Sequence, residues 1–295
     1  TLVVQPIRNL GERYNVLQSA FASAERVFEV LDTTSTLPTP SQPSPLGPEG
    51  IAPKVQFQNV SFGYLKDHPV LEKVDFEILP GQTVALVGAT GAGKSTIVNL
   101  LLRFYDPSEG QVQVGERELT QVDLSDWRGR IGLVLQDDFL FAGTVRENIL
   151  MDRSGIDEAA LLQALKASGA DRVVQNLAGG LDAEVAERGA TFSTGERQLL
   201  AIARALAGQP DLVILDEATA SVDSETEARI EQATGRLLQG RSALVVAHRL
   251  STIQRADVIL VLDGGRIIER GTHDELLAAK GAYARLHALQ FELEA

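Results

Sequence analysis

A run of glycines followed by a lysine and two hydroxyl residues is the strongest chemical signal in the chain. It reads GATGAGKST from Gly88 to Thr96 and fits the spacing G-x-x-x-x-G-K-[ST]. Glycines let a backbone wrap closely around phosphate oxygens, and amides at a helix N-terminus point towards them. A glycine-rich turn could also simply cap a helix, but the apolar strand pattern before it and the helical pattern after it favour a phosphate loop. The residues predicted to bind a nucleoside triphosphate are Gly88, Thr90, Gly91, Gly93, Lys94, Ser95 and Thr96.

Two adjacent carboxylates form the second candidate group. Asp216 and Glu217 end the apolar run LVIL, and ligands of α/β sheets bind at the carboxyl ends of strands. Asp216 would hold Mg²⁺ through water, and Glu217 would polarise an attacking water molecule. Two solvated acids at a strand end are common in proteins, but the phosphate loop in the same chain favours the catalytic interpretation.

The elements that must position these residues are short strands that alternate with helices. Five apolar runs, VALVG, IGLVLQ, LVILDE, ALVVAH and VILVLD, predict buried strands of a mostly parallel sheet. Alternating apolar residues between Val55 and Ile78 predict antiparallel strands before that sheet. The pattern from about 138 to 207 is helical and predicts an inserted helical lobe.

The first 53 residues differ in character from the rest. Apolar residues recur at three- and four-residue steps between Leu10 and Leu31, which predicts an amphipathic helix over residues 1–32. The helix would pack either on this domain or on a partner. A run rich in proline, serine and glycine over residues 33–53 predicts an extended linker, so the main domain is expected to cover residues 54–295.

The composition excludes several classes of protein. A net charge of -13 argues against a nucleic-acid surface, which needs a basic footprint. The chain has no cysteine, which excludes disulfides and cysteine metal sites. No apolar run approaches the roughly 18 residues that span a bilayer.

Taken together, these motifs resemble the nucleotide-binding domain of ABC transporters over about residues 54–290. The resemblance implies an α/β fold with a P-loop NTPase (RecA-like) core, a mostly parallel sheet, an antiparallel β subdomain and an inserted α-helical subdomain. It implies that Tyr64 stacks on adenine, that Gln136 reaches the metal and the attacking water, and that His248 contacts the γ-phosphate. The implied cofactors are ATP and Mg²⁺, and GTP is disfavoured because no N-K-x-D motif is present. The implied Mg²⁺ ligands are Ser95, Gln136 and Asp216.

The stretch FSTGE, from Phe192 to Glu196, resembles the family signature that is usually written LSGGQ. In the family this segment caps ATP bound to a second domain, so the resemblance implies a head-to-tail dimer. Thr194 replaces a glycine, and Glu196 replaces a glutamine, which favours the helix N-terminus but brings negative charge towards ATP. By itself the stretch is also a plausible helix N-cap. The residues implied to face nucleotide across the dimer are Ser193, Gly195, Glu196 and, in a D-loop-like segment, Asp223.

Two further stretches resemble exporters that carry membrane and nucleotide domains in one chain. SAFASAERVFEVLD resembles the segment after their last transmembrane helix, and DDFLFAGTVRENI resembles the surface that receives their membrane domain. The resemblance implies an N-terminal membrane domain in the intact chain, a position on the cytoplasmic face of a membrane, and ATP-driven export of an unidentified substrate.

Alternatives within the family remain at this point. A catalytic glutamate beside an altered signature is typical of one half of a heterodimeric exporter, and both homodimer and heterodimer stay open. A regulatory half that binds ATP with little turnover is disfavoured by Glu217 and His248. An ABC-type DNA-repair ATPase is disfavoured by the acidic balance, the lack of cysteine and the short spacing between Gln136 and Ser193.

Overall fold

The computed structural model describes residues 4–291 apart from 34–36, 39, 41, 48–49, 51, 67, 137–138, 154, 217–222 and 248. The chain divides into two compact units, Thr1–Pro38 and Thr39–Ala295. The first unit contains helix α1 (Val4–Asp32), along which apolar side chains such as Leu10 and Phe21 are exposed. Among the described residues, none of the helices combines the length and the hydropathy that crossing a membrane requires.

The second unit contains all the strands of the described residues and the other helices. The strands are β1 (Val55–Phe62), β2 (Leu71–Ile78), β3 (Thr83–Val87), β4 (Glu109–Val114), β5 (Arg117–Glu118), β6 (Ile131–Val134), β7 (Gly143–Thr144), β8 (Glu184–Val185), β9 (Leu212–Asp216), β10 (Ser242–Val246), β11 (Val258–Asp263) and β12 (Arg266–Gly271). The helices are α2 (Lys94–Leu101), α3 (Leu124–Gly129), α4 (Val145–Leu150), α5 (Glu158–Ser168), α6 (Asp171–Gln175), α7 (Thr194–Ala207), α8 (Ser224–Leu238), α9 (Leu250–Arg255), α10 (His273–Ala279) and α11 (Ala282–Phe291).

The central sheet has the order β12-β11-β3-β10-β9-β6, and its five strands from β11 to β6 are parallel. These are the five apolar runs of the sequence, so the predicted mostly parallel sheet is confirmed. Side chains alternate between the two faces of each strand, and in β3 Val84 and Leu86 enter one core while Ala85 and Val87 enter the other. Both faces are therefore buried, which explains why these strands read as continuous apolar runs.

The edge strand β12 is absent from the sequence prediction. It pairs antiparallel to β11, and its residues alternate between exposed and half-buried. Its sequence RIIERG carries three charges in six residues and therefore gives no buried-strand signal. A charged edge also protects the sheet from pairing with other chains.

A second, antiparallel sheet with the order β2-β1-β4-β5 confirms the predicted antiparallel strands. Phe57 and Phe76 stack across β1 and β2 with ring centroids 4.5 Å apart. They share one core with α2, α3 and one face of the central sheet. Trp127 of α3 is fully buried there, and its indole N–H donates to the carbonyl of Leu101 at 2.8 Å, which satisfies its polar group.

The other face of the central sheet is covered by α4 to α11. α4 begins with a capping box formed by Thr144 and Glu147. Arg204 of α7 donates to the carbonyls of Asn148 at 2.7 Å and Phe139 at 3.0 Å. These bonds hold the segment that follows β6 against α7.

Part of the proline-rich segment belongs to the second compact unit. The amide of Leu46 donates to Asp126 at 3.3 Å, and the amide of Gly50 donates to the buried Asp211 at 2.9 Å. Asp211 directly precedes β9 in the chain. Leu46 and Gly50, which lie in the segment predicted as linker, thus make hydrogen bonds within the second compact unit, Thr39–Ala295.

Candidate nucleotide-binding site

The glycine loop joins β3 to α2, which is the context that the sequence predicts. Gly91 and Gly93 have positive φ angles of 83° and 107°. A Cβ at Gly88 would lie 2.2 Å from the carbonyl oxygen of Leu262, and one at Gly93 would lie 2.7 Å from Cδ2 of Leu71. Backbone conformation and close approach therefore both require glycine, so this loop has the shape that brings amides close to an anion.

Lys94 lies across the start of this loop. Its Nζ donates to the carbonyls of Gly88 at 2.7 Å and Ala89 at 3.0 Å, and the side chain is buried. Burial lowers the pKa of Lys94 below its ordinary value of 10.5, and the charge of Asp216 opposes this shift. The loop thus holds a partly desolvated ammonium group against its own carbonyls.

The strand order brings further predicted residues to the same edge of the sheet. Asp216 is the last residue of β9, and Gln136 follows β6, the parallel neighbour of β9. Val246, the last residue of β10, pairs with Asp216. Glu217 and His248 lie outside the described residues; in the sequence they come shortly after the ends of β9 and β10.

The oxygen atoms of Ser95, Gln136 and Asp216 are of the type that Mg²⁺ prefers, together with water and phosphate oxygens. In the part of the chain that the structure describes, no cluster of three or more His, Asp or Glu residues could hold a metal by itself. The donor set therefore fits a cation that nucleotide phosphates help to bind.

Tyr64 is hydrogen-bonded to the helix that follows the phosphate loop. Its hydroxyl lies 3.3 Å from the hydroxyl of Thr96 and accepts from Nδ2 of Asn99 at 2.9 Å. The ring also contacts Tyr105, with centroids 5.2 Å apart. Sequence reasoning missed Asn99 and Tyr105; the signal for Asn99 was its position three residues after Thr96, on the same face of α2.

The signature stretch starts α7 as a capping box. The Ser193 hydroxyl accepts from the amide of Glu196 at 3.3 Å, and the Glu196 carboxylate accepts from the Ser193 amide and hydroxyl, each at 2.9 Å. Glu196 thus caps the start of α7, a role that the oxygen of a glutamine at this position could also fill.

Gly195 brings the signature close to the D-loop-like segment. A Cβ at Gly195 would lie 2.1 Å from Cγ2 of Thr226 in α8. Asp223 caps α8 by accepting from the Thr226 amide at 2.9 Å, and this bond lowers the pKa of Asp223 below its ordinary value of 3.8. The remaining D-loop-like residues, 220–222, lie outside the described residues.

The predicted site residues thus form two groups in one chain. In the first group Tyr64 is bonded to Thr96 and the charge of Asp216 acts on Lys94. The second group lies at the starts of α7 and α8 and consists of Ser193, Gly195, Glu196 and Asp223.

The fold and the loop define a P-loop nucleotide-binding domain of the α/β type. Residues 71–220 match the family model of ABC transporters. The chain belongs to the ABC transporter family, and its domain is an ATP-binding domain of the P-loop ATPase class.

Three similar proteins show which members of the family the chain resembles. It is 46% identical over 287 residues to the uncharacterized ABC transporter ATP-binding protein YknV of Bacillus subtilis, covering 97% of this chain and 47% of that protein. It is 44% identical over 281 residues to a fatty acid ABC transporter ATP-binding/permease protein of Mycobacterium bovis, covering 95% of this chain and 44% of that protein. A solved structure of a bacterial Atm1-family ABC exporter with ATP bound matches with a TM-score of 0.82 and 38% identity, over 98% of this chain and 50% of that one. The chain thus spans about half the length of the relatives it matches.

Proposed function

We propose that the chain is the motor domain of an ABC exporter, which binds and hydrolyses ATP to power export of a substrate across a membrane. The observation that carries the proposal is the glycine loop with Lys94 held across its first carbonyls. The likeness to an ATP-binding/permease protein and to an exporter, each about twice as long as this chain, supports a membrane domain as partner.

Each residue near the loop has a proposed role. Lys94 and the loop amides bind the β- and γ-phosphates. Ser95, Gln136 and Asp216 hold Mg²⁺, which supplies positive charge to the phosphates when it is bound. Glu217 orients the attacking water and His248 contacts the γ-phosphate, a pairing supported by the register of their adjacent strands β9 and β10.

The complete site forms between two such domains arranged head to tail. The position of Ser193, Gly195 and Glu196 at the start of α7, where Ser193 is exposed, supports this arrangement, because in the family this stretch meets the nucleotide of the partner domain. ATP binding closes the pair, and hydrolysis followed by phosphate release reopens it. Each chain would thereby contribute to both sites.

The closing motion reaches the membrane domain through the N-terminal segment. We assign residues 1–32 to a helix that leads from a transmembrane domain, residues 33–53 to a linker, and residues 54–295 to the ATPase domain with its helical subdomain at about 138–207. We infer that the domain lies on the cytoplasmic face of a membrane, as the likeness to exporters supports.

A second candidate is a regulatory half that binds ATP with little turnover. One observation favours it: Glu196 already holds the amide and hydroxyl of Ser193, which the family offers to the γ-phosphate of the partner's ATP. A negative charge at this point opposes the approach of that phosphate.

ATPase measurements on the chain distinguish the two candidates. The motor function predicts a rate that rises with protein concentration, because two domains must meet. Lys94→Ala should abolish ATP binding, and Glu217→Gln should bind ATP without turnover. Retained turnover in Lys94→Ala would contradict the loop assignment, and equal, low rates for wild type and Glu217→Gln would favour the regulatory half. Sedimentation of this chain alone with ATP shows whether it forms a homodimer. A chain that stays monomeric would need a different chain as its partner.

A further inference from the structure

Tyr64 presents an aromatic ring that is held from its sides. The ring is 46% exposed, and its two aromatic neighbours are nearly perpendicular to it. Phe62 lies 5.1 Å away at 85°, and Tyr105 lies 5.2 Å away at 86°. Neither neighbour stacks flat on Tyr64, which is the contact that a nucleotide base makes with an aromatic ring.

The hydroxyl of Tyr64 is fixed by α2. Asn99 donates its amide N–H to this hydroxyl at 2.9 Å, so the phenolic hydrogen is available to the Thr96 hydroxyl at 3.3 Å. Thr96 and Asn99 are three residues apart and lie on one face of the helix. Because α2 begins at Lys94, the ring is tied to the same helix whose N-terminus forms the phosphate loop.

The two hydroxyl bonds add to the restraint that the rings of Phe62 and Tyr105 place on the Tyr64 side chain. The residue lies in the loop between β1 and β2, and Gly63 beside it approaches the carbonyl of His68 so closely that a Cβ would lie 2.4 Å away. This close approach constrains the backbone, and the hydroxyl bonds constrain the side chain. A ring fixed before binding loses less rotational freedom when a base stacks on it.

We propose that Asn99 is a positioning residue for the nucleotide: it acts through the Tyr64 hydroxyl to hold the ring at a fixed place relative to the phosphate loop. The base and the phosphates of one ATP molecule then engage two surfaces that are already aligned. This inference rests on the proposed function, since it takes ATP to bind at the loop with its base on Tyr64.

A double-mutant cycle tests the inference on the full chain. ATP affinity is measured by calorimetry for wild type, Asn99→Leu, Tyr64→Phe and the double variant, and inorganic tripolyphosphate serves as a ligand without a base. Loss of one hydrogen bond predicts that Asn99→Leu weakens ATP binding by about two- to tenfold. Tripolyphosphate affinity should stay unchanged, and Asn99→Leu should add nothing in the Tyr64→Phe background.

Controls separate this role from a structural one. Gln232→Leu removes an exposed amide from α8 and should change neither the ATP affinity nor the tripolyphosphate affinity. Thermal unfolding checks that each variant is folded. Equal weakening of ATP and tripolyphosphate by Asn99→Leu, or an unchanged effect in the Tyr64→Phe background, overturns the inference. If Tyr64→Ala weakens ATP binding while Asn99→Leu does not, only this inference fails. If the wild type binds neither ligand, the proposed function fails with it.

Discussion

The contact between α7 and α8 at Gly195 makes a quantitative prediction. A methyl group at this position would lie 2.1 Å from Cγ2 of Thr226, whereas carbon atoms pack at about 3.5–4.0 Å. Thr226 cannot yield easily, because its β-branched side chain is stiff and its amide is held by Asp223 at 2.9 Å. Gly195→Ala must therefore push the two helices apart or force Thr226 out of its rotamer.

Two opposing effects set the change in the free energy of unfolding for Gly195→Ala. Overpacking costs about 1–3 kcal/mol, and an overlap of this size belongs at the upper end of that range. Alanine is favoured over glycine in a helix by up to about 1 kcal/mol. We expect Gly195→Ala to lower the free energy of unfolding by about 2 kcal/mol. The matched control is Gly235→Ala in α8, where nothing lies within 4 Å of the added methyl, and this change should stabilise by about 0.5–1 kcal/mol.

Urea unfolding followed by the fluorescence of Trp127 provides the assay. Trp127 is the single tryptophan of the chain and is fully buried in the second compact unit. Thr226→Ser keeps the hydroxyl and removes Cγ2, so the double variant Gly195→Ala/Thr226→Ser should recover most of the lost stability. Equal stability of Gly195→Ala and the wild type, or no recovery in the double variant, would refute the packing argument.

Three further predictions concern charged groups. Glu196→Gln should tighten ATP-dependent association of two domains several-fold, because it removes negative charge near the partner's phosphate while its amide oxygen still caps α7. Sedimentation of both proteins in a Glu217→Gln background measures this association. Weaker association of the Glu196→Gln variant would contradict the prediction. Since burial lowers the pKa of Lys94 and bound phosphates raise it, ATP affinity should be full below the pKa of the free protein and fall as the pH rises through it. The ATP affinity of Lys94→Arg should not change with pH over that range, because arginine stays charged. If calorimetry shows the same pH dependence of ATP affinity in Lys94→Arg and the wild type, Lys94 is not the titrating group. Because the pKa of Asp223 is lowered in the folded state, its ionised carboxylate stabilises the fold at pH values above its ordinary pKa of 3.8. This stabilisation is lost as the pH falls through the pKa of Asp223 in the folded state. The urea midpoint of Asp223→Asn should therefore fall below that of wild type near neutral pH but approach it in acid, and a constant difference would argue against this titration.

The central sheet could be predicted from the sequence because its five strands are buried on both faces. Each is then a short apolar run between polar segments, which is visible without any alignment. The edge strand β12 could not be found in this way, because only one of its edges pairs with β11 and its residues alternate between exposed positions, such as Arg266 and Arg270, and half-buried ones. The hydrogen bonds of Leu46 and Gly50 could not be predicted either, since prolines indicate an extended backbone but do not show which carboxylates its amides will reach.

The candidate site also has features that the sequence predicts and contacts that it does not. The phosphate loop, the strand-end carboxylates and the capping residue Ser193 are local patterns, since spacing along the chain fixes how their backbone and side chains are placed. The contact of Asn99 with Tyr64 joins residues 35 positions apart, and that of Gly195 with Thr226 joins two helices separated by β9. Neither contact leaves a repeating pattern in the chain.

The sequence by itself determined the class of chemistry, because phosphate binding needs glycines, a lysine and a hydroxyl at fixed local spacing. It also determined the capping of α7 by Ser193 and Glu196, since both partners lie within one helical turn. Only the tertiary structure decided that Tyr64 is anchored to α2 and that the signature helix rests on the helix capped by Asp223. The physical reason is that strand order and helix packing set these distances, and both result from burial of the whole core rather than from any short stretch of the chain.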